Sequence, residues 1–150
     1  MIVWGIDDHV RDFVSARFPH VAAAGGFRDG YAAGFVEDGV LVGGVVLTHV
    51  STFDGHVSIV LDSPRVLTPG ALDALFSVPF RRLGLKRLTI LTDPRNKRVR
   101  RLAEGLGWTL EGKMRCGLDG ERDALVYGML ASECRWIKGR EYHGFHSVGS

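Results

Sequence analysis

The sequence predicts a single α/β domain whose mixed, mostly antiparallel sheet carries helices on both faces. The chain has 150 residues, of which 45% are hydrophobic and 24% are charged, which is the size and balance of one globular domain. Three segments show the apolar spacing of helices, six others show the pattern of strands, and their order is αβββαβαββ. No repeat or linker divides the chain, so we expect one domain over residues 1–138 and a flexible tail over 139–150.

The first half of the chain predicts one helix followed by an antiparallel meander. Residues 7–18 place Val10 and Val14 on one helical face. A Gly- and Ala-rich stretch at 22–30 separates this helix from three strands. Asp-Gly pairs between the strands are typical of hairpin turns. The predicted strands are 31–36, 40–50 and 56–61.

The second half predicts two helices and three strands. An apolar stripe over residues 71–83 indicates a helix that ends at Gly84 and is kinked by Pro79. Residues 96–106 indicate another helix, with Gly107 as its stop signal. The predicted strands are 85–91, 108–115 and 124–130.

The composition argues against several classes of protein. No apolar run reaches the ~20 residues that a membrane-spanning helix needs, and the N-terminus lacks the pattern of a signal peptide. Cys116 and Cys134 do not make a disulfide framework or a zinc site. His143 and His146 lie close in sequence without a third ligand, so no metal site is predicted. We therefore expect a cytoplasmic protein that does not bind a membrane.

Charge is divided unevenly along the chain. Residues 1–80 hold four arginines and no lysine against nine acidic residues, whereas residues 81–150 hold fifteen basic residues against eight acidic ones. The second half therefore favours an anionic partner, which could be nucleic acid, a phosphorylated cofactor or an acidic protein. Nucleic acid is possible but not favoured as the sole partner, because no aromatic residues interleave the basic stretch and the pI is only 8.7.

Two predicted helix starts could bind an anion. Thr68 is a good N-cap and Pro69 suits the first helical position, so free N–H groups behind them could receive a phosphate at Gly70. A well-capped helix without a ligand explains the same residues. Residues 95–101 place five basic side chains where the helix dipole prefers acidic ones. Either a bound anion or a solvated basic face accounts for that cluster.

The same two helix starts carry the motifs of a known family. Arg65-x-x-Thr68-x-Gly70 follows a predicted strand and opens a helix. Asn96 opens the next helix, which ends in the Leu-Gly-Trp of residues 106–108. This arrangement resembles the GCN5-related N-acetyltransferases, whose acetyl-CoA signature and later Asn and Leu-Gly-Phe motifs occur in this order.

The resemblance extends over most of the chain. Residues 96–115 and the strand 124–130 are similar to the ribosomal-protein-alanine branch of the family. Short acetyltransferase-like proteins encoded by bacteriophages look closer still, including the Cys-Arg-Trp ending at 134–136. The resemblance covers about residues 7–136, and it implies a sheet that splays between the strand ending at Leu61 and the strand 85–91.

The resemblance implies direct transfer of an acetyl group from acetyl-CoA to a primary amine on a protein N-terminus, a lysine, a small amine or a modified base. The amine must be neutral to attack, so a base is useful, and His56 and Asp54 are the candidates. A backbone N–H of the strand 56–61 is implied as the donor to the carbonyl oxygen. The residues implied in acetyl-CoA binding are Val60, Leu61, Asp62, Arg65, Leu67, Thr68, Gly70, Ala71 and Asn96.

The sequence departs from the family pattern at three positions. Thr68 stands where the signature has its first glycine, and Pro69 removes one N–H from the phosphate cradle. Ala103 stands where many members carry a tyrosine that acts as general acid. These departures favour an alternative hypothesis, in which the chain is a pseudoenzyme of this fold or a protein-binding module that acts on a host component.

Overall fold

The computed structural model describes residues 1–27 and 30–137, and within them the backbone forms a seven-stranded sheet with helices on both faces. The strands are β1 (Ile2–Val3), β2 (Tyr31–Glu37), β3 (Val40–Thr48), β4 (His56–Leu61), β5 (Arg87–Thr92), β6 (Thr109–Met114) and β7 (Ala124–Leu130). The helices are α1 (Asp7–Ser15), α2 (Pro19–Ala23), α3 (Pro69–Ser77) and α4 (Lys97–Leu106). The predicted flexible tail lies outside the described residues.

The sheet has the order β1-β2-β3-β4-β5-β7-β6. All neighbouring strands are antiparallel except β4 and β5, which run parallel. The connection between these two parallel strands passes through α3, as a parallel pair requires. The predicted fold class, a mixed and mostly antiparallel sheet with helices on its faces, is therefore confirmed.

Each face of the sheet has its own apolar core. On one face, Val10 and Val14 of α1 pack against Ala32 and Val46 of the meander. On the other face, α3 and α4 cover β4, β5 and β7, where side chains such as Tyr127 are fully buried. Since the two faces are filled by different helices, the ends of β4 and β5 lie between α1 on one side and α4 on the other.

The first predicted helix, 7–18, is wrong at its end. The helix stops at Ser15, and a second short helix begins at Pro19. Phe18 has an extended backbone, with φ of −119° and ψ of 100°, because the residue before a proline is pushed out of the helical region. The two-residue strand β1 was not predicted, since so short a segment shows no periodicity.

The predicted helix over 71–83 also differs from the structure. It begins at Pro69 behind the Thr68 N-cap, as those two residues predicted, but its α-helical part ends at Ser77. A π-helical turn, Val78–Arg82, then carries Pro79, whose missing N–H breaks the regular α-helical ladder. The long predicted strand 40–50 stops at Thr48 because His49 adopts a left-handed conformation with φ of 52°.

Both ends of α4 are closed as the sequence predicted. The Asn96 Oδ1 accepts a hydrogen bond of 3.2 Å from the Val99 N–H, and Gly107 takes the left-handed cap conformation with φ of 99°. The buried Tyr127 hydroxyl donates to Glu104 at 2.6 Å and accepts from Arg100 at 3.2 Å. These two bonds connect both halves of α4 to β7 and so fix the helix relative to the sheet.

Candidate active site

A V-shaped gap separates β4 from β5. In the described part of the chain the two strands share one register pair, His56 with Thr89. The Thr89 N–H donates to the Gly55 carbonyl at 2.9 Å, and this bond lies at the closed end of the V. Beyond His56 the strands diverge toward Leu61. We call the space between them the central cleft.

The cleft edge of β4 offers backbone groups to a ligand. The Asp62 N–H donates to Val42 of β3 at 2.7 Å. Since a strand directs its backbone groups alternately to its two sides, those of Val57, Ile59 and Leu61 face the cleft. The Leu61 carbonyl accepts a hydrogen bond of 2.7 Å from the Arg98 guanidinium, which confirms this orientation.

Basic side chains surround the open end of the central cleft. The cleft has a volume of about 540 Å³. Arg17, at the end of α1, forms an ion pair of 3.1 Å with Asp62 and lies over the Phe13 ring at 3.5 Å. Arg98 and Arg101 project from the first turns of α4. The lining residues are Arg17, Phe18, Ile59, Val60, Leu61, Asp62, Pro64, Asn96, Arg98, Val99, Arg101 and Leu102.

A second space, the side depression, adjoins the cleft at Arg17, Phe18 and Asn96. Its floor carries Asp93, whose pKa is held below its usual range mainly by hydrogen bonds from Arg95. Arg122, from the loop between β6 and β7, donates to the same carboxylate at 3.2 Å. Thr92 also lines the depression, and its buried hydroxyl has no hydrogen-bond partner among the described residues.

The start of α3 is separated from this cleft. Thr68 caps the helix by accepting from the Ala71 N–H at 3.1 Å, and Pro69 has no N–H. The Arg65 side chain is 78% exposed and pairs with Glu37 at 2.9 Å. An added Cβ at Gly70 would meet no atom within 4 Å, so the turn is open to a ligand. Thr68 therefore consumes one of the donors that a phosphate would use.

Asp54 lies at the closed end of the V, where it serves the fold. Its carboxylate accepts from the Gly55 N–H at 2.9 Å and from the Thr89 hydroxyl at 3.0 Å. Arg87 lies 3.5 Å from the same carboxylate and also pairs with Glu111 at 2.8 Å. These bonds tie the turn before β4 to β5 and thereby hold the two strands together at one end.

His56 lies at the point where the two strands part. Its ring is half-buried and stands 4.9 Å from the ring of His49, centroid to centroid. Burial lowers the pKa of His56, and His49 lowers it further, while Asp54 opposes the shift. The imidazole is therefore neutral at pH 7 and has a nitrogen able to accept a proton.

The structure distributes the predicted acetyl-CoA residues over three places. Val60, Leu61, Asp62 and Asn96 line the central cleft. Arg65, Thr68, Gly70 and Ala71 line a separate depression at the start of α3. Leu67 is partly buried against the apolar core. Ala103 is 1% exposed and belongs to the core beneath α4.

Sequence reasoning missed Arg17 and its pairing with Asp62. The two residues are 45 positions apart, and a single arginine at a helix end carries no local signal of a cleft. Arg98 was predicted only as one member of a basic cluster, because its acceptor, Leu61, lies 37 positions away.

The described residues show neither a metal site nor a membrane span. They contain no group of three or more His, Cys, Asp and Glu side chains that could hold a metal ion. Among them there is also no helix long and apolar enough to cross a membrane.

Comparisons with known proteins agree with this architecture. No family model and no curated protein matches the chain. Among solved structures, a probable acetyltransferase is 25% identical, with a TM-score of 0.60, over 84% of this chain and 73% of its own. A GCN5-related N-acetyltransferase from Brucella melitensis is 25% identical, with a TM-score of 0.57, over 70% of this chain and 52% of its own.

A third structural neighbour has lower sequence identity. It is the ribosomal-protein-S5-alanine acetyltransferase from Vibrio fischeri, at 18% identity and a TM-score of 0.57, over 81% of this chain and 69% of its own. The chain therefore has the fold of the GCN5-related N-acetyltransferases, and its structural neighbours support an N-acetyltransferase enzyme.

Proposed function

We propose that the chain transfers an acetyl group from acetyl-CoA to a primary amine by direct attack of that amine. The observation that carries the proposal is the central cleft, in which a free backbone edge of β4 faces arginines of α1 and α4. The alternative, a pseudoenzyme or protein-binding module, is not favoured, because the departures at Thr68, Pro69 and Ala103 leave that cleft open.

The residues of the cleft fit the chemistry of coenzyme A. Its pantetheine arm carries amides, and the backbone groups of Ile59 and Leu61 face the cleft without a strand partner on that side. Its phosphates are anionic, and Arg17, Arg98 and Arg101 line the open end. The Gly70 N–H adds one donor at the start of α3. These residues support acetyl-CoA as the donor substrate.

The reaction needs little more than positioning, since acetyl-CoA supplies an acetyl group already activated as a thioester. His56 is placed at the apex of the V to accept the proton that the amine gives up as its nitrogen bonds to the acetyl carbon and the carbon–sulfur bond breaks. The backbone N–H of Ile59, beyond the single register pair of β4 with β5, faces the same space and would stabilise negative charge on the carbonyl oxygen.

The departing sulfur needs a proton, and Ala103 cannot supply one. In the resembling family a tyrosine at this position acts as general acid. Here the proton comes from water or from the amine itself, by way of His56. A thiol is a tolerable leaving group, so the absence of a general acid costs about 10²–10⁴ in rate and does not abolish turnover.

The acceptor enters through the side depression, which meets the cleft at Arg17 and Asn96. Asp93 is the acidic side chain of that depression, but Arg95 and Arg122 already pair with it. An acceptor amine therefore has to arrive neutral rather than as a strongly held cation. A protein N-terminus suits this requirement best, since its pKa of about 8 is lower than that of a lysine.

Calorimetry and transfer assays test the proposal together. Acetyl-CoA and CoA are titrated into the protein, with a short DNA duplex as the nucleic-acid comparison. Thiol release is then followed with α-amine, lysine and small-amine acceptors. We expect binding of both CoA species and amine-dependent release. Binding without transfer to any acceptor would indicate the pseudoenzyme, and binding of the duplex alone would overturn the proposal.

A further inference from the structure

We propose that this enzyme, besides acetyl-CoA, accepts donor acyl groups longer than acetyl, whose apolar chain enters a cavity beneath α4. This inference rests on the proposed acyl-CoA-dependent function and specifies its substrate. It depends on three observations: the cavity is apolar, Ile59 and Leu102 line both it and the central cleft, and Ala103 is one of the small side chains of its wall.

The cavity lies between the sheet and the helices α3 and α4. All the residues that line it are apolar or aromatic, including Val57 of β4 and Ala103 of α4. At its far end it reaches Trp4 and Tyr31, which are 45% and 49% exposed. A cavity lined in this way does not hold ordered water well and instead favours an apolar ligand.

The cavity and the central cleft share a wall. Ile59 and Leu102 line both spaces, one from β4 and the other from α4. The side chains of Val57 and Ile59 point toward this α4 face, whereas His56, one position away on the strand, points to the α1 face. The carbonyl carbon of an acyl group bound between β4 and β5 can therefore face the amine on the α1 side of the sheet. The rest of the acyl chain then extends into the cavity on the α4 side.

Ala103 determines how much room remains. The cavity has a volume of about 40 Å³, taken as the space that the centre of a water molecule can reach. A single water needs about 10–15 Å³ on this measure, so the space accommodates roughly three or four atoms in a row. A larger side chain at position 103 would occupy that space. The cavity thus matches an acyl chain about three carbons longer than acetyl, in the range of pentanoyl.

Binding of unreactive S-alkyl-CoA thioethers tests this inference without catalysis. Calorimetry compares CoA with its S-ethyl, S-pentyl and S-dodecyl thioethers. Each buried methylene gains about 0.8 kcal/mol, so affinity should rise about fourfold per carbon until the cavity is full. We expect S-pentyl-CoA to bind at least tenfold more tightly than S-ethyl-CoA and S-dodecyl-CoA to gain nothing further.

Filling the cavity should remove the preference for longer chains. In Ala103→Leu we expect S-pentyl-CoA and S-ethyl-CoA to bind alike, with the affinity for CoA unchanged. Val57→Leu adds volume from the opposite wall and is used if Ala103→Leu fails to fold. Val40→Leu is the matched control, because Val40 is 61% exposed and lies outside the cavity.

The outcomes separate this inference from the proposed function. Equal affinity for S-ethyl-CoA and S-pentyl-CoA in the parent protein would overturn the inference while leaving acetyl-CoA as the donor. A chain-length preference that survives both cavity variants would also overturn it. If the parent binds neither CoA nor any thioether, the proposed function itself fails.

Discussion

The Arg98 guanidinium donates to the Leu61 carbonyl at 2.7 Å and thereby spans the open end of the central cleft. This bond places a cation next to the cleft edge of β4. The cation lies between the backbone groups that would bind the pantetheine arm of coenzyme A and the arginines that would bind its phosphates. The helix dipole opposes basic residues at this end of α4, so a bound anion would stabilise the arrangement.

Replacing Arg98 should weaken acetyl-CoA binding. An exposed charge-assisted contact with a phosphate contributes about 1–2 kcal/mol, so we expect the Kd of Arg98→Ala to rise roughly 5- to 30-fold. Lys97→Ala is the control, because Lys97 occupies the same helical turn but does not line the cleft. Calorimetry at low and high salt measures both variants, and an equal loss in the two would contradict the role of Arg98.

A carboxylate at position 70 should repel the phosphates. An added side chain meets open space at both Gly70 and Gly105, so neither Gly70→Glu nor Gly105→Glu should disturb the fold. We expect Gly70→Glu to lower acetyl-CoA affinity at least tenfold and Gly105→Glu to leave it unchanged. Thermal melts establish that both variants fold. Tight binding by Gly70→Glu would place the phosphates elsewhere.

Because of His56, the stability of the protein should fall as the pH drops below 6.5. Burial lowers the pKa of His56 below the unfolded value of 6.5, so the unfolded chain binds more protons as the pH falls. The contribution of His56 to the free energy of unfolding is therefore fully present above pH 6.5. It is lost as the pH falls through the pKa that His56 has in the folded protein. His56→Gln should make the free energy of urea unfolding less dependent on pH in this window, with His9→Gln, at an exposed position of α1, as the comparison. A parent protein with no loss in this window would contradict the burial of His56.

Removing the Tyr127 hydroxyl should loosen α4. That hydroxyl donates to Glu104 at 2.6 Å from a fully buried ring, and a hydrogen bond to a charged acceptor contributes about 1–2 kcal/mol. Urea unfolding of Tyr127→Phe should show a loss of this size. Tyr31→Phe, at a half-exposed ring, should change the free energy of unfolding by less than about 0.5 kcal/mol.

Much of the fold was predictable because its signals are local. Thr68, Asn96 and Gly107 act where the sequence places them, since a cap involves residues only three or four positions apart. Asp38 and Gly39 likewise form the predicted turn between β2 and β3, with φ of 52° and 78°, whereas Asp54 and Gly55 end a longer loop between Thr48 and His56. At Phe18 the local signal was misleading. Its apolar side chain continues the helical spacing, but the following Pro19 keeps its backbone out of the helical region.

The site was less predictable because distant pairings build it. The family resemblance predicted the divergence of β4 from β5, but no local pattern encodes it, because it depends on how α1 and α4 pack on opposite faces. The bond from Arg98 to Leu61 crosses 37 positions. The apolar cavity is harder still to predict, since Ala103 belongs to an apolar helix face that looks like any other core-facing stripe. Its small side chain leaves space only because Ile59 and Leu102 lie beside it in the fold.

The central claim is tested most directly by amine-dependent release of thiol from acetyl-CoA, measured against a panel of α-amine peptides at pH 7.5. We predict release that requires both the protein and the amine, that falls in the parent as the pH drops below 6.5, and that His56→Gln reduces about 10²–10⁴-fold. His9→Gln, at an exposed position of α1, should retain it. Thiol release that is absent with every amine, or that His56→Gln leaves intact, would contradict this account.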